Sequence, residues 1–214
     1  MRAMIKKLVL PETSDVKIHP GRRMTEAEFV EWCDDKTCAE WVDGEVILMS
    51  PVSINHDDLF GYLFGLMNIF VQHQDLGIVL TEPVHVRFAT QRRRRSPDIF
   101  FIAEARRSII QPNHIEGSPD LIVEIVSPDD PARDWRDKYL EYERAGVREY
   151  WIVDPASKIV EAYTLNRQKR YQRLLEREGA ICSKVLKGFY LKAAWLFAEK
   201  RPKTLAILRE LGVK

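Results

Sequence analysis

The sequence predicts an α/β domain built on a central mixed β-sheet flanked by helices. Three observations predict it. Helical and strand patterns interleave along the chain, which is the mark of helices packed on a sheet. Leu121–Val126 is apolar on both strand faces apart from Glu124, as expected of a central strand covered on both sides. Leu59, Leu63, Leu66 and Phe70 follow helical spacing, and Phe60, Phe64, Met67 and Val71 widen the stripe into a deeply buried face.

The elements follow in order. Thr25-Glu26-Ala27-Glu28 reads as a capping box that opens a helix through about Cys33. Glu40–Met49 carries Asp43-Gly44 between two apolar stretches, a strong hairpin signal. Ser50-Pro51 ends the second strand, and Ser53 caps the long helix to about Gln74. Strands are expected over 77–81 and 84–88, and after Pro97 over 98–102. Residues 120–127 form the buried strand. A helix runs from Asp134 to Ala145 with Gly146 as its stop. Strands over 149–153 and 159–165 flank the Asp154-Pro155 turn. A β-rich C-terminal extension follows over 169–175 and 181–186, and helical patterns recur near 192–198 and 203–211.

The 214 residues suit one domain. Residues 1–22, broken by Pro11, Pro20 and Gly21, read as a lead-in without regular structure; 23–200 read as a single domain and 201–214 as a helical tail. Lys and Arg number 33 against 32 Asp and Glu, a net charge of +1. A global basic field for nucleic acid is therefore absent, and any such affinity must be local. Cys33, Cys38 and Cys182 read as free thiols. No secretory signal and no run of roughly 20 apolar residues stands out. The expectation is a cytoplasmic, reducing compartment and no membrane. Ser-hydrolase elbows and phosphate-cradling glycine loops are missing as well, which argues against acyl transfer and ATP use.

Glu124 is the anomaly of the apolar strand. Burying its charge costs several kcal/mol unless a cation or hydrogen-bond donors compensate. It pairs with an Arg or Lys, or it binds a metal. Asp98, opening another apolar strand after Pro97, suggests the second: two carboxylates on separate strands can share a hard cation such as Mg²⁺. That arrangement suits phosphodiester hydrolysis. Arg92-Arg93-Arg94-Arg95 is the only dense basic cluster, either a phosphate-binding element beside the metal or a solvated loop tip. His56, near the start of the long helix, is a further candidate for the site.

At this point the residues resemble a family. Pro97-Asp98, Pro119-Asp120-Leu121-Ile122-Val123-Glu124-Ile125-Val126-Ser127-Pro128, Lys138-Tyr139 and Gly146-Val147-Arg148-Glu149-Tyr150-Trp151-Ile152-Val153-Asp154-Pro155 are similar to the Uma2 (DUF820) signature. Met24–Phe29, Glu40–Glu45, Ser50-Pro51 and His56 fit it upstream, so the resemblance covers about residues 24–198. It implies a restriction-endonuclease-like core of the PD-(D/E)XK type. It further implies Asp98 and Glu124 as metal-binding residues for one or two Mg²⁺ or Mn²⁺ ions, and a supporting carboxylate, Glu40 or Glu45. The implied function is a metal-dependent endonuclease acting on DNA, in a homodimer or larger assembly. One departure stands out: the lysine two residues after the acid is replaced by Val126. Lys138 is then the expected source of the catalytic charge, arriving from the next helix. Without such a replacement, the alternative is a catalytically degenerate fold serving as a nucleic-acid-binding or oligomerising module.

Overall fold

The computed structural model of the chain describes residues 23–33, 37–49, 51–127 and 133–214. The expected lead-in over 1–22 lies outside the described residues, as do Ser50 and the segment 128–132. Helix α1 (Glu26–Trp32) forms the capping box. The Glu28 N–H donates to Thr25 Oγ1 at 3.2 Å and the Thr25 N–H to Glu28 Oε2 at 2.7 Å. Strands β1 (Ala39–Val42) and β2 (Glu45–Leu48) make the expected hairpin. Asp43 and Gly44 turn it at φ 51° and 96°, the left-handed pair that a two-residue turn demands.

Helix α2 (Ile54–His73) starts from Ser53 as N-cap. Strands β3 (Gly77–Thr81), β4 (His85–Phe88), β5 (Arg93–Arg95), β6 (Ile99–Ala103), β7 (His114–Glu116) and β8 (Leu121–Ile125) follow. A π-helical turn over Arg133–Lys138 leads into α3 (Tyr139–Ala145), which stops at Gly146 with φ 83°. The chain ends with β9 (Glu149–Asp154), β10 (Ile159–Leu165), β11 (Tyr171–Arg173), β12 (Ile181–Cys182), β13 (Tyr190–Leu191), α4 (Ala193–Phe197) and α5 (Thr204–Glu210). The C-terminal strands are shorter than expected, and β5 and β7 were not expected. The four-arginine run is no loop tip: three of its members form β5.

The central sheet has six strands in the order β11-β10-β9-β8-β6-β3, parallel only between β8 and β9. Period-2 alternation divides its two faces. One face (Val79, Ile99, Phe101, Val123, Ile125, Trp151) packs under α2 and α5. The other (Phe100, Ile102, Ile122, Val126, Tyr150, Ile152) packs against Tyr142 of α3 and against β4. A second sheet, β2-β1-β5-β4-β7, joins the first where the chain passes from β3 to β4 and from β5 to β6. Both passages run through the site described below. The tail packs against the domain: Ile207, Leu208 and Leu211 of α5 and its exit lie in the main core, and the Tyr62 hydroxyl donates to the Pro202 carbonyl at 2.8 Å. No helix among the described residues is long and apolar enough to cross a membrane.

Candidate active site at the junction of the two sheets

The strand register builds the site. Thr81 pairs with Ile99, and Ile99 pairs with Val123. One residue further along each strand, Glu82, Asp98 and Glu124 fall into a single row across β3, β6 and β8. Opposed residues of antiparallel neighbours stand roughly 5 Å apart at Cα. The row therefore sets three carboxylates side by side at one end of the sheet.

Each has a distinct environment. Asp98 is 7% exposed, and its Oδ2 accepts the Ile125 backbone N–H at 2.5 Å. His56, one turn into α2, brings Nε2 to 3.3 Å from the Ile125 carbonyl and 3.7 Å from Asp98 Oδ2. The second distance is an ion-pair contact, too long for a hydrogen bond. Burial pushes the His56 pKa down, but Asp98, the Ile125 carbonyl and Glu82 outweigh burial and raise it. Glu124 is 2% exposed and is held at both oxygens. Lys138 Nζ lies 2.8 Å from Oε2, and the Tyr142 hydroxyl donates to Oε1 at 2.6 Å. Burial pushes the Glu82 carboxyl up, and the like charge of Asp98 pushes it further, against the opposing pull of His56 and Lys138.

The structure thus brings Asp98, Glu124, Lys138 and His56 together. Val126 is buried with Ile122 and Tyr142 on the face that Glu124 shares, and Lys138 delivers its ammonium to Glu124 from the turn before α3. Glu40 is fully buried nearby; it takes Arg95 Nη1 at 2.8 Å and the Ser96 N–H at 3.1 Å. Glu45 lies elsewhere, an exposed side chain on β2 with Arg23 3.9 Å away. The arginine run is divided. Arg92 is exposed beside the Trp41 ring at 5.9 Å. Arg93 reaches Asp43 at 2.5 Å, Arg94 reaches Glu26 at 2.7 Å, and Arg95 is buried between Glu40 and Glu141. A cleft of about 570 Å³ between α1 and the β4–β7 edge is lined by none of Asp98, Glu124, Lys138 and His56, and its Arg87 and Arg94 already hold Glu26.

Sequence reasoning missed Glu82. An acid before a proline at a strand end reads as a surface turn, and only the β3–β6 register reveals its neighbours.

Do these residues fit a divalent ion? Among the described residues, no three of His, Cys, Asp and Glu stand close enough to hold a metal on their own. Mg²⁺ needs only one or two carboxylates and keeps several waters, so in number Asp98 and Glu124 would be enough. Acidic groups also gather there: Glu40, Glu82, Asp98, Glu124 and Glu141 surround Arg95, Lys138 and His56.

A mixed sheet bearing an Asp before one strand and a buried Glu on its neighbour, with helices on the faces, places the molecule in the class of restriction-endonuclease-like folds. The Uma2 family, described as "Putative restriction endonuclease", matches over residues 26–194, and the chain belongs to it. Among solved structures, it is similar to a DUF820 protein from Anabaena variabilis ATCC 29413, titled a "putative nuclease". That likeness has a TM-score of 0.68 at 20% identity, over 82% of this chain and 98% of the other, and it establishes the fold. No curated protein matches the chain.

Proposed function

We propose that the chain is a Mg²⁺- or Mn²⁺-dependent endonuclease hydrolysing phosphodiester bonds of DNA, with Asp98 and Glu124 holding one or two ions. The carrying observation is the row that sets half-buried Glu82 beside buried Asp98 and Glu124 at one end of the central sheet. An ion bound there would polarise a phosphoryl oxygen and lower the pKa of a bound water.

The chain's own residues prepare the rest. Lys138 sets a positive charge beside Glu124, where negative charge grows as the phosphorus becomes five-coordinate. Tyr142 fixes the other oxygen of Glu124, so that carboxylate has one orientation. His56 supports Asp98 from α2, and Glu40 supports the approach to Asp98 through the Ser96 N–H. In the net reaction, a water oxygen bonds to phosphorus and one P–O ester bond breaks. The water's proton ends on the departing oxygen, leaving a phosphomonoester and a hydroxyl end. Arg92 is the member of the arginine run left to meet a phosphate, since Arg93, Arg94 and Arg95 already hold carboxylates. A homodimer would place two such sites against the two strands of a duplex.

One observation favours a second reading, a nucleic-acid-binding module that does not cut: most of the arginine charge is spent inside the protein. A plasmid assay separates the two. Wild type with Mg²⁺ or Mn²⁺ should nick supercoiled DNA, chelator should stop it, and Asp98→Ala or Glu124→Gln should lower the rate roughly 100-fold or more. Lys138→Ala should fall similarly. Plasmid binding without nicking under both metals would favour the module, and undiminished nicking by Asp98→Ala would remove the proposed site.

A further inference from the structure

The four-arginine run contains a buried guanidinium that the chemistry above does not use. Arg95 is 3% exposed. Its Nη1 donates to Glu40 Oε2 at 2.8 Å, its Nε to Glu141 Oε1 at 3.0 Å, and its Nη2 to Glu141 Oε2 at 2.7 Å. Both partners lead directly to the site. Glu40 uses its second oxygen on the Ser96 N–H at 3.1 Å, two residues before Asp98. Glu141 lies between Lys138 and Tyr142 in sequence, and both of those donate to Glu124. Residues three or four apart on a helix share a face, so Lys138, Glu141 and Tyr142 project toward the sheet together.

We propose that Arg95 is a positioning residue: by bridging Glu40 on β1 and Glu141 on α3, it sets the rotation of α3 that holds the Lys138 ammonium against Glu124. The proposal rests on the nuclease reading for what Lys138 does, though not for where Lys138 is held. A planar guanidinium can grip one carboxylate with two parallel bonds and a second carboxylate with its remaining edge. An ammonium on a flexible stem has no such fork. Arg95 therefore acts on the reaction through α3 and never touches the substrate. Its neighbours in the run serve other purposes: Arg94 ties β5 to α1 through Glu26, and Arg93 joins the β1–β2 turn to α3 through Asp43 and Glu141.

The test is lysine side-chain ¹⁵N NMR on the full chain, with the Lys138 ammonium signal assigned by its loss in Lys138→Arg. A buried, ion-paired ammonium exchanges slowly and should give a separate resonance. In Arg95→Lys, which keeps the charge and removes the fork, that resonance should shift or broaden beyond detection. Glu141→Gln, which keeps the shape and weakens the grip, should displace it in the same sense and decides the matter if Arg95→Lys does not fold. An unchanged Lys138 resonance in a folded variant overturns the proposal. Cleavage kinetics give an independent reading. Arg95→Lys should lower kcat at least tenfold with little change in KM, and should add no further loss in a Lys138→Ala background. An equal loss in both backgrounds would mean a general structural role and also overturn it. If wild type cuts nothing, the nuclease reading fails while the NMR outcome still decides the position of Lys138.

Discussion

In the proposed site, Val126 and Lys138 would divide a task between two elements. Val126 fills the apolar layer with Ile122 and Tyr142, while Lys138 brings its ammonium to Glu124 across the space between helix and strand. The sequence reading proposed Lys138 because a valine stands at the position of the missing lysine, and the contact with Glu124 is what that proposal needs. Glu82 was invisible by the same reasoning, since its importance arises only from strand pairing. Glu149 stands in the family signature, but its role could not be read there; it has no exposed surface. It accepts from Trp151 Nε1 at 2.6 Å, Ser183 Oγ at 2.7 Å, and the Lys184 and Val185 N–H groups at 2.7 and 3.0 Å. One carboxylate thereby ties β9 to the C-terminal extension. Burial raises its pKa above the ordinary 4.5 despite these donors. The folded state then holds this proton more tightly than the unfolded state does. The contribution to stability is fully present below pH 4.5 and is lost as pH rises through the higher folded value. Denaturant melts of wild type and Glu149→Gln should show the wild type losing ground to the variant as pH rises from 4 toward neutrality; a gap that moves the other way would contradict this account.

At the scale of elements, register does the positioning, and glycine protects the register. Gly77 starts β3 at φ 149°, where an added Cβ would lie 2.1 Å from the Ile102 carbonyl oxygen and 2.8 Å from the Glu104 nitrogen. Gly77→Ala should therefore push β3 off β6 and destabilise by about 3 kcal/mol or more, since backbone cannot give way as a flexible side chain can. Gly61 is the control. It lies exposed in α2 with open space around its Cα, so Gly61→Ala should stabilise by roughly 0.5–1 kcal/mol. Urea midpoints measure both, and equal effects would contradict the register argument. The long helix, the hairpin and the buried strand were legible because periodicity and turn chemistry are local signals. Strand β5 was not: Arg93-Arg94-Arg95 looks solvated until Asp43, Glu26, Glu40 and Glu141 are brought in from distant parts of the chain. Three-residue β7, with His114 and Glu116 on one side of Ile115, is likewise too short to carry a pattern.

For the whole molecule, two sheets meeting at an acidic row explain how a chain with a net charge of +1 can concentrate negative charge at one place. The long helix, the tail and the extension close the apolar side behind it. Leu208 of α5 is 2% exposed within that core. Leu208→Ala should cost about 2–5 kcal/mol in a chemical melt, whereas a surface tail would lose almost nothing. Family and fold place the molecule among restriction-endonuclease-like proteins; that Asp98 and Glu124 share a divalent ion is the proposal beyond them. Titration calorimetry with Mn²⁺ tests it most directly, on wild type, Asp98→Ala and Glu124→Ala, with and without DNA to supply phosphate ligands. Wild type should bind the ion, and binding should disappear in both variants. A wild type that binds no Mn²⁺ even with DNA present, or variants that bind as well as it does, would contradict it.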